Sequence, residues 1–143
     1  MKHAVILTVV IMAFLSALLI SELQINDRTN LPMDTVTLNL SSDKNVYHSA
    51  EQMKLNAEIK TLGKLENVTV RVYGVRDRRG GYRVNEEKII NVDPPGIEET
   101  FEFRMPSCYG CAGVSPGDYE IVMEILKEGE VIGNFSKTIK LEK

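Results

Sequence analysis

Two cysteines, Cys108 and Cys111, are the residues whose type and spacing most directly suggest chemistry in this sequence. They enclose Tyr109 and Gly110, and three interpretations of this C-x-x-C spacing are open. In an oxidising compartment two cysteines of one loop form a disulfide, and Gly110 relaxes the backbone so that a very small ring can close. A thioredoxin-type redox centre uses the same spacing, and so does half of a zinc site.

The surroundings of the cysteine pair favour the disulfide. A redox centre needs its first cysteine at a helix N-terminus in a βαβ unit, whereas this pair lies between two predicted strands. Zinc needs four ligands, and the chain adds only His3 and His48, so a second pair of thiols would have to come from a dimer. We therefore expect a disulfide that fixes the shape of its loop, with no metal and no cofactor.

Basic residues cluster around the turn at Gly80 and Gly81, with Asp77 the only acid among them. The cluster consists of Arg76, Arg78, Arg79 and Arg83. At the tip of a hairpin it can bind an anionic surface polymer, a lipid headgroup or an acidic partner. A solvated turn without a ligand is the more common arrangement and remains the alternative.

Three N-x-[ST] sequons begin at Asn39, Asn67 and Asn134. Each asparagine is opposite in parity to the apolar residues of its predicted strand, so its side chain should face solvent. These are candidate glycosylation sites in a host that glycosylates its surface proteins. Outward polar positions on strands are the alternative explanation.

Catalytic motifs are missing from the sequence. It contains no G-x-S-x-G, no phosphate-binding glycine-rich loop and no H-E-x-x-H, and His48 alone does not provide a nucleophile with its base. The net charge of −3 argues against a nucleic-acid partner, because phosphate contacts need concentrated Lys and Arg. We expect a protein that is not an enzyme.

An unbroken run of largely apolar residues covers positions 4–20. As a helix it would be about 26 Å long, close to the hydrocarbon core of a bilayer at about 30 Å. We interpret residues 1–21 as a membrane anchor or a signal peptide, and favour the anchor because the run is long for a signal and no good cleavage site follows. A buried core helix is the alternative, but it would need a larger surrounding core than this chain supplies.

The charges that flank this run indicate its orientation. Lys2 precedes it, and the first charges after it are the acids Glu22 and Asp27, so the positive-inside rule places the rest of the chain outside the cytoplasm. Residues 22–33 are polar and predict a spacer, and residues 34–143 predict one domain. The expected location is extracytoplasmic, either anchored to the cell membrane or secreted.

From Val36 onward apolar and polar residues alternate, as expected for half-buried strands. Seven strands are predicted, over or around residues 36–40, 53–60, 68–73, 82–92, 101–103, 119–125 and 131–141. A long loop separates the fifth from the sixth. The pattern predicts an all-β, two-sheet antiparallel immunoglobulin-like sandwich of about seven strands, preceded by an N-terminal transmembrane or signal helix. A closed barrel is the alternative.

Two motifs within this region resemble the motifs of a known class of domains. The first follows the pattern D-K-x-x-Y-x-x-G-E-x-V, with matches at Asp43, Lys44, Tyr47, Glu51 and the apolar Met53, and with Ala50 in the place of Gly. The second is the P-G-x-Y sequence of residues 116–119. Together they resemble prokaryotic cell-surface immunoglobulin-like modules of the adhesion-associated or macroglobulin-like type. The resemblance implies a β-sandwich, and it says little about function because such sandwiches host unrelated activities.

The first motif also has a physical interpretation as a crossing between strands. Tyr47 can bury its ring at the edge of the sandwich while its hydroxyl finds a partner, and Glu51 can accept hydrogen bonds from turn amides. We expect both residues to stabilise the fold rather than bind a ligand.

Three functional hypotheses follow. The favoured one is a non-enzymatic module, exported or membrane-anchored through residues 4–20, that acts with surface or envelope protein partners in cell-surface structure, adhesion or assembly. The second is a pilin-like or filament subunit, although the processing site expected before a pilin helix is missing. The third is an extracytoplasmic thiol-disulfide protein that uses Cys108 and Cys111. Self-association is compatible with each of them.

Overall fold

The computed structural model of the chain describes residues 36–143. The predicted anchor or signal and the spacer, residues 1–33, lie outside this range, so the domain boundary at residue 34 stays a prediction. Within the described range, no helical segment has the length and apolarity needed to span a bilayer.

Eight strands make up the described domain. They are β1 (Thr37–Ser42), β2 (Val46–Tyr47), β3 (Gln52–Lys60), β4 (Leu65–Arg76), β5 (Tyr82–Val92), β6 (Gly96–Arg104), β7 (Gly117–Lys127) and β8 (Glu130–Leu141). They form a three-stranded sheet in the order β1-β3-β6 and a five-stranded sheet in the order β2-β8-β7-β4-β5. The predicted all-β architecture of two sheets is confirmed, and the separate sheets correspond to a sandwich rather than a closed barrel.

The prediction of seven antiparallel strands needs one correction. The structure adds β2, whose two residues pair in parallel with Lys140 and Leu141 of β8. Two residues are too few to show alternation, so the sequence pattern could not reveal this strand. The other seven strands occur where they were predicted, and their ends differ by a few residues.

The core follows from the alternation in the sequence. In β3, Met53, Leu55, Ala57 and Ile59 are fully buried, and the residues between them point outward. Both sheets contribute such rows, and other large, fully buried side chains are Tyr47, Leu65, Phe101, Ile121, Met123, Ile125 and Leu141. Each large apolar side chain contributes about 1.5–3 kcal/mol when it is buried, so this shared interior holds the two sheets together.

The chain crosses between the sheets at the first motif, as the sequence predicted. β1 belongs to the three-stranded sheet, β2 to the five-stranded sheet, and β3 returns to the first. The Tyr47 ring is fully buried at this crossing, and its hydroxyl donates to Asp43 Oδ1 at 2.7 Å. The same carboxylate oxygen accepts the backbone N–H of Lys54 at 2.8 Å. Burial, together with the hydrogen bond to Asp43, raises the pKa of Tyr47 to about 12.

Glu51 closes the turn that follows β2. Its carboxylate accepts the backbone N–H of His48 at 2.7 Å and forms an ion pair with Lys44. Tyr47 and Glu51 thus have the fold-stabilising contacts that the sequence predicted for them. Between them Ala50 has a φ of 64°, in the left-handed region that favours glycine.

Tyr119 ties the start of β7 to the loop that precedes it. Its hydroxyl donates to the backbone oxygen of Ser115 at 2.7 Å and accepts the Ser115 N–H at 3.1 Å. This arrangement is a tyrosine corner, a device of immunoglobulin-like sandwiches. It holds the end of the long loop against the five-stranded sheet.

The left-handed backbone at Ala50 leads to a stability prediction. We expect Ala50→Gly to raise the free energy of unfolding by about 0.5–1 kcal/mol, because glycine adopts positive φ without steric cost. Urea unfolding of the full-length protein in detergent measures the change. The matched control is Ala112→Gly, at a position without positive φ, which should be neutral or destabilising. Equal losses in the two variants would contradict this account of the turn.

Candidate functional site

The arginine hairpin and the cysteine loop, which the sequence presented as separate features, meet at one end of the sandwich. The backbone N–H of Arg78 donates to the oxygen of Gly113 at 2.9 Å. Arg83 Nη2 donates to the oxygen of Ala112 at 2.8 Å. We call this joint region, residues 76–83 and 106–116, the tip.

Asp77 organises the hairpin part of the tip. Its Oδ1 accepts the backbone N–H groups of Arg79 at 2.9 Å and Gly81 at 3.0 Å, and its Oδ2 lies 3.0 Å from Arg83 Nη2. Burial alone would raise the pKa of Asp77, but these backbone hydrogen bonds and the charges of Arg83 and Arg79 lower it overall. The single acid of the cluster is therefore committed to holding the turn.

The four arginines divide into two pairs. Arg83 is bound by Asp77 and Ala112, and Arg76 Nε donates to the oxygen of Gly80 at 3.2 Å. Arg78 and Arg79 are exposed, and among residues 36–143 no carboxylate lies within 4.0 Å of either guanidinium. Two of the predicted binding arginines thus have structural contacts, and two remain open to a ligand.

The cysteine loop is shaped by a disulfide and by a tight turn. The sulfurs of Cys108 and Cys111 lie at bonding distance, their Cα atoms are 5.3 Å apart, and both residues are exposed. The backbone N–H of Ala112 donates to the Cys108 oxygen at 3.0 Å, and that of Val114 to the Tyr109 oxygen at 2.8 Å. The geometry is that of the predicted disulfide.

Tyr109 anchors this loop in the core, a role that the sequence pattern does not predict. Its ring is 3% exposed, and its hydroxyl donates to the backbone oxygen of Tyr47 at 3.2 Å. Burial raises the pKa of the Tyr109 hydroxyl. The one available signal was a large aromatic residue between two cysteines, and it does not say which way the ring points.

The redox and zinc interpretations gain no structural support in residues 36–143. Every regular element there is a strand, so Cys108 does not begin a helix as a thioredoxin-type cysteine does. No group of three His, Cys, Asp or Glu side chains in this range is placed to hold a metal ion. His3, the other histidine of the chain, lies outside the described residues.

A cleft at the tip has a volume of about 500 Å³. Its lining includes Arg78, Cys108, a second basic residue, Lys143, and the hydroxyl side chains of Ser49 and Ser107. Its cations and hydroxyl groups suit an anionic group, since both can donate hydrogen bonds to it.

The three sequon asparagines lie on β1, β4 and β8, and all are exposed. Asn39 and Asn134 occupy regular outward positions, as strand parity predicts. Asn67 lies in a bulge with a φ of 52°, and its N–H donates to Asn91 Oδ1 at 2.8 Å. Their glycosylation stays a prediction.

Comparisons with known proteins inform the fold alone. A scan against protein-family models and a search of curated proteins both find no match. Among solved structures, the chain is similar to the CARDB domain of a Pyrococcus furiosus protein. Its solution structure gives a TM-score of 0.52 at 16% identity, over 74% of this chain and 93% of that one. The crystal structure of that domain, in complex with di-metal ions, gives 0.53 at 16% identity, over 76% and 89%.

The alkylpurine DNA glycosylase of Pseudomonas fluorescens, bound to DNA, is a second similar structure. Its TM-score is 0.54 at 15% identity, over 76% of this chain and 30% of the glycosylase. At such identities the similarity shows a β-sandwich module and carries no activity, metal or partner with it.

The disulfide and the Tyr109 anchor make separable contributions to stability. We expect the double variant Cys108→Ser, Cys111→Ser to keep its fold and lose about 2 kcal/mol, because so small a ring constrains the unfolded chain little. Tyr109→Ala should lose more, about 3–5 kcal/mol, because it removes a buried aromatic ring. Urea unfolding of the full-length protein measures both losses.

Alkylation of the unfolded protein, with and without reductant, provides the control. If Cys108 and Cys111 are alkylated only after reduction, the disulfide between them is present in the isolated protein. A larger loss from the cysteine variant than from Tyr109→Ala would contradict the assignment of Tyr109 as the main anchor of the loop.

Proposed function

We propose that this chain is an exported, membrane-anchored β-sandwich module without enzymatic activity, which binds an acidic protein of the cell surface through its tip. Its role is then in cell-surface structure, adhesion or envelope assembly. The observation that carries the proposal is the distribution of ion pairs: most basic side chains of the domain have a carboxylate partner, whereas several at the tip end do not. Although the chain has a net charge of −3, Arg78, Arg79 and Lys143 at the tip end have no carboxylate within 4.0 Å in the described structure.

Most other basic side chains of the domain are neutralised locally. The ion pairs include Lys44–Glu51, Lys60–Glu58, Lys64–Glu66, Arg71–Glu87, Lys88–Glu99 and Lys140–Glu142. Such exposed pairs contribute little stability, about 0–1 kcal/mol each, but they cancel the field around them. Arg78 and Arg79 are adjacent and both unpaired in the described structure, so together they form an attractive surface for a negatively charged partner.

The direction of the strands separates the tip from the start of the described domain. β4 begins at Leu65, at the end of the sandwich where Thr37 of β1 pairs with Lys60, and it reaches the tip at Arg76. Its 12 residues, at about 3.3 Å each, span roughly 40 Å. Within the described residues, the chain thus enters the domain at the end opposite the tip.

The other two hypotheses gain less support. A filament subunit depends on packing of the leader, which lies outside the described residues. A thiol-disulfide protein requires a helix at Cys108, and the described part of the chain has a turn there.

The binding proposal is tested with poly-L-glutamate as an acidic polypeptide. We expect the wild-type full-length protein to bind it in calorimetry at low salt, and more weakly as salt screens the charges. The double variant Arg78→Glu, Arg79→Glu should bind about tenfold more weakly or worse, equivalent to about 1.4 kcal/mol.

The matched control changes the net charge by the same amount away from the tip. Lys127→Glu with Lys137→Glu alters two cations that have no carboxylate within 4.0 Å in residues 36–143. Equal weakening in the two double variants would show a nonspecific charge effect and refute a binding surface at the tip.

Localisation is tested separately in the native host. We expect the full-length protein to sediment with membranes, to resist extraction by high salt, and to be cleaved by protease added to intact cells. Deletion of residues 4–20 should abolish both properties, because the apolar run supplies the membrane affinity. Intact mass of the isolated protein reports leader removal and glycan addition together. Recovery of the wild-type protein in the cytosol would refute export.

A further inference from the structure

A second cleft opens on the five-stranded sheet where β4 and β7 separate. Their pairing ends at Gly74 and Ile121, and beyond it lies a cleft of about 250 Å³. Its lining includes Tyr73, Arg76, Tyr82, Asp118, Glu120 and Val122. We propose that this cleft binds a neutral carbohydrate ring. The proposal goes beyond the function assigned to the tip and does not depend on it.

The backbone explains why the cleft exists. At the last pair of β4 and β7, a Cβ on Gly74 would lie 2.7 Å from the oxygen of Glu120, so only glycine permits this close approach. The next residue, Val75, has a φ of 52°, a conformation that β-branched residues rarely adopt. It directs β4 away from β7 toward the hairpin and leaves the space between them open.

Two tyrosine rings provide an apolar surface in the cleft. The centroids of Tyr73 and Tyr82 are 5.1 Å apart with their planes inclined by 59°, and Tyr82 is 42% exposed. Arg71 lies 5.0 Å from the Tyr73 ring centre, and Arg76 lies 5.9 Å from that of Tyr82. The Tyr73 hydroxyl donates to Glu124 at 2.8 Å. The rings are therefore held in place before any ligand arrives, which lowers the entropic cost of binding.

The polar groups around these rings match a sugar better than an ion. Arg76 can donate hydrogen bonds, and the carboxylates of Asp118 and Glu120 can accept them. Neither carboxylate has an ion-pair partner within 4.0 Å in the described structure. The two carboxylates outnumber the one guanidinium, which disfavours an anionic ligand. A cationic ligand is also disfavoured, because the Arg76 guanidinium already makes the cation–π contact with the Tyr82 ring.

A neutral ring with hydroxyl groups on its edge and C–H groups on its face matches both the tyrosine rings and the polar groups of the cleft. Its hydroxyls both donate and accept, as the guanidinium and carboxylates require. Its C–H face can cover the open part of Tyr82. The small volume suits a single ring, since pockets for larger ligands are typically about 300–1,000 Å³.

The test replaces Tyr82 with a unique fluorophore. The chain contains no tryptophan, so Tyr82→Trp keeps an aromatic ring in the cleft and reports on it alone. The full-length variant, in a detergent without a sugar headgroup, is titrated with maltotriose, cellotriose and chitotriose up to about 10 mM. We expect at least one of these neutral sugars to produce a saturable change in emission.

Calorimetry on the wild-type protein and its variants then locates the site. Tyr82→Ala should bind the active sugar at least tenfold more weakly, whereas Ile89→Ala, at a 74% exposed position of the same strand, should bind it unchanged. The double variant Arg78→Glu, Arg79→Glu should also bind the sugar unchanged, which separates this site from the tip.

Three results would overturn the proposal. The first is the absence of a saturable response to all three sugars, and the second is equal binding by the wild type and Tyr82→Ala. The third is a change in emission that depends on protein concentration without sugar, which would assign the cleft to a second copy of the chain.

Discussion

The crossing of the chain between its two sheets at Tyr47 is the constraint on which the rest of the molecule depends. The buried ring fills the edge of the core, the hydroxyl is held by Asp43, and the backbone oxygen accepts the hydroxyl of Tyr109. Through Tyr109 this point fixes the cysteine loop, and through Gly113 and Ala112 the loop holds the arginine hairpin. The buried crossing at Tyr47 thus positions the arginine hairpin at the surface, through the contacts of Tyr109 and the cysteine loop.

The hairpin between β4 and β5 serves two surfaces with different chemistry. Arg78 and Arg79 face solvent at the tip, where unpaired positive charge acts at long range and is weakened by salt. Arg76 and Tyr82 face the cleft, where contacts are short-ranged and depend on shape. Asp77 and Arg83 hold the turn that separates them. The division follows from hydrogen bonding. Arg83 is held by Asp77 and Ala112, whereas Arg76 donates only through Nε within the described residues and keeps its other N–H groups for the cleft.

The strands could be predicted from the sequence because alternation records which side chains face the core. The alternation runs along β3 and along β7 as far as Ile125, and all seven predicted strands occur. β2 could not be found, since its two residues gain their structure from β8 and not from their own pattern. The same limit applied to the cleft, because the sequence does not show that Val75 turns β4 away from β7.

The sequence by itself determined properties of neighbouring residues: the strand pattern, the outward direction of the sequon asparagines, the short spacing of the cysteines and the apolar run of residues 4–20. Tertiary structure alone decided which arginines are free, where the Tyr109 ring lies and that the hairpin meets the cysteine loop. These outcomes depend on contacts between distant residues, 29 positions apart for Arg83 and Ala112 and 62 for Tyr109 and Tyr47. A local pattern carries no record of such partners, because only the packing of the two sheets brings them together.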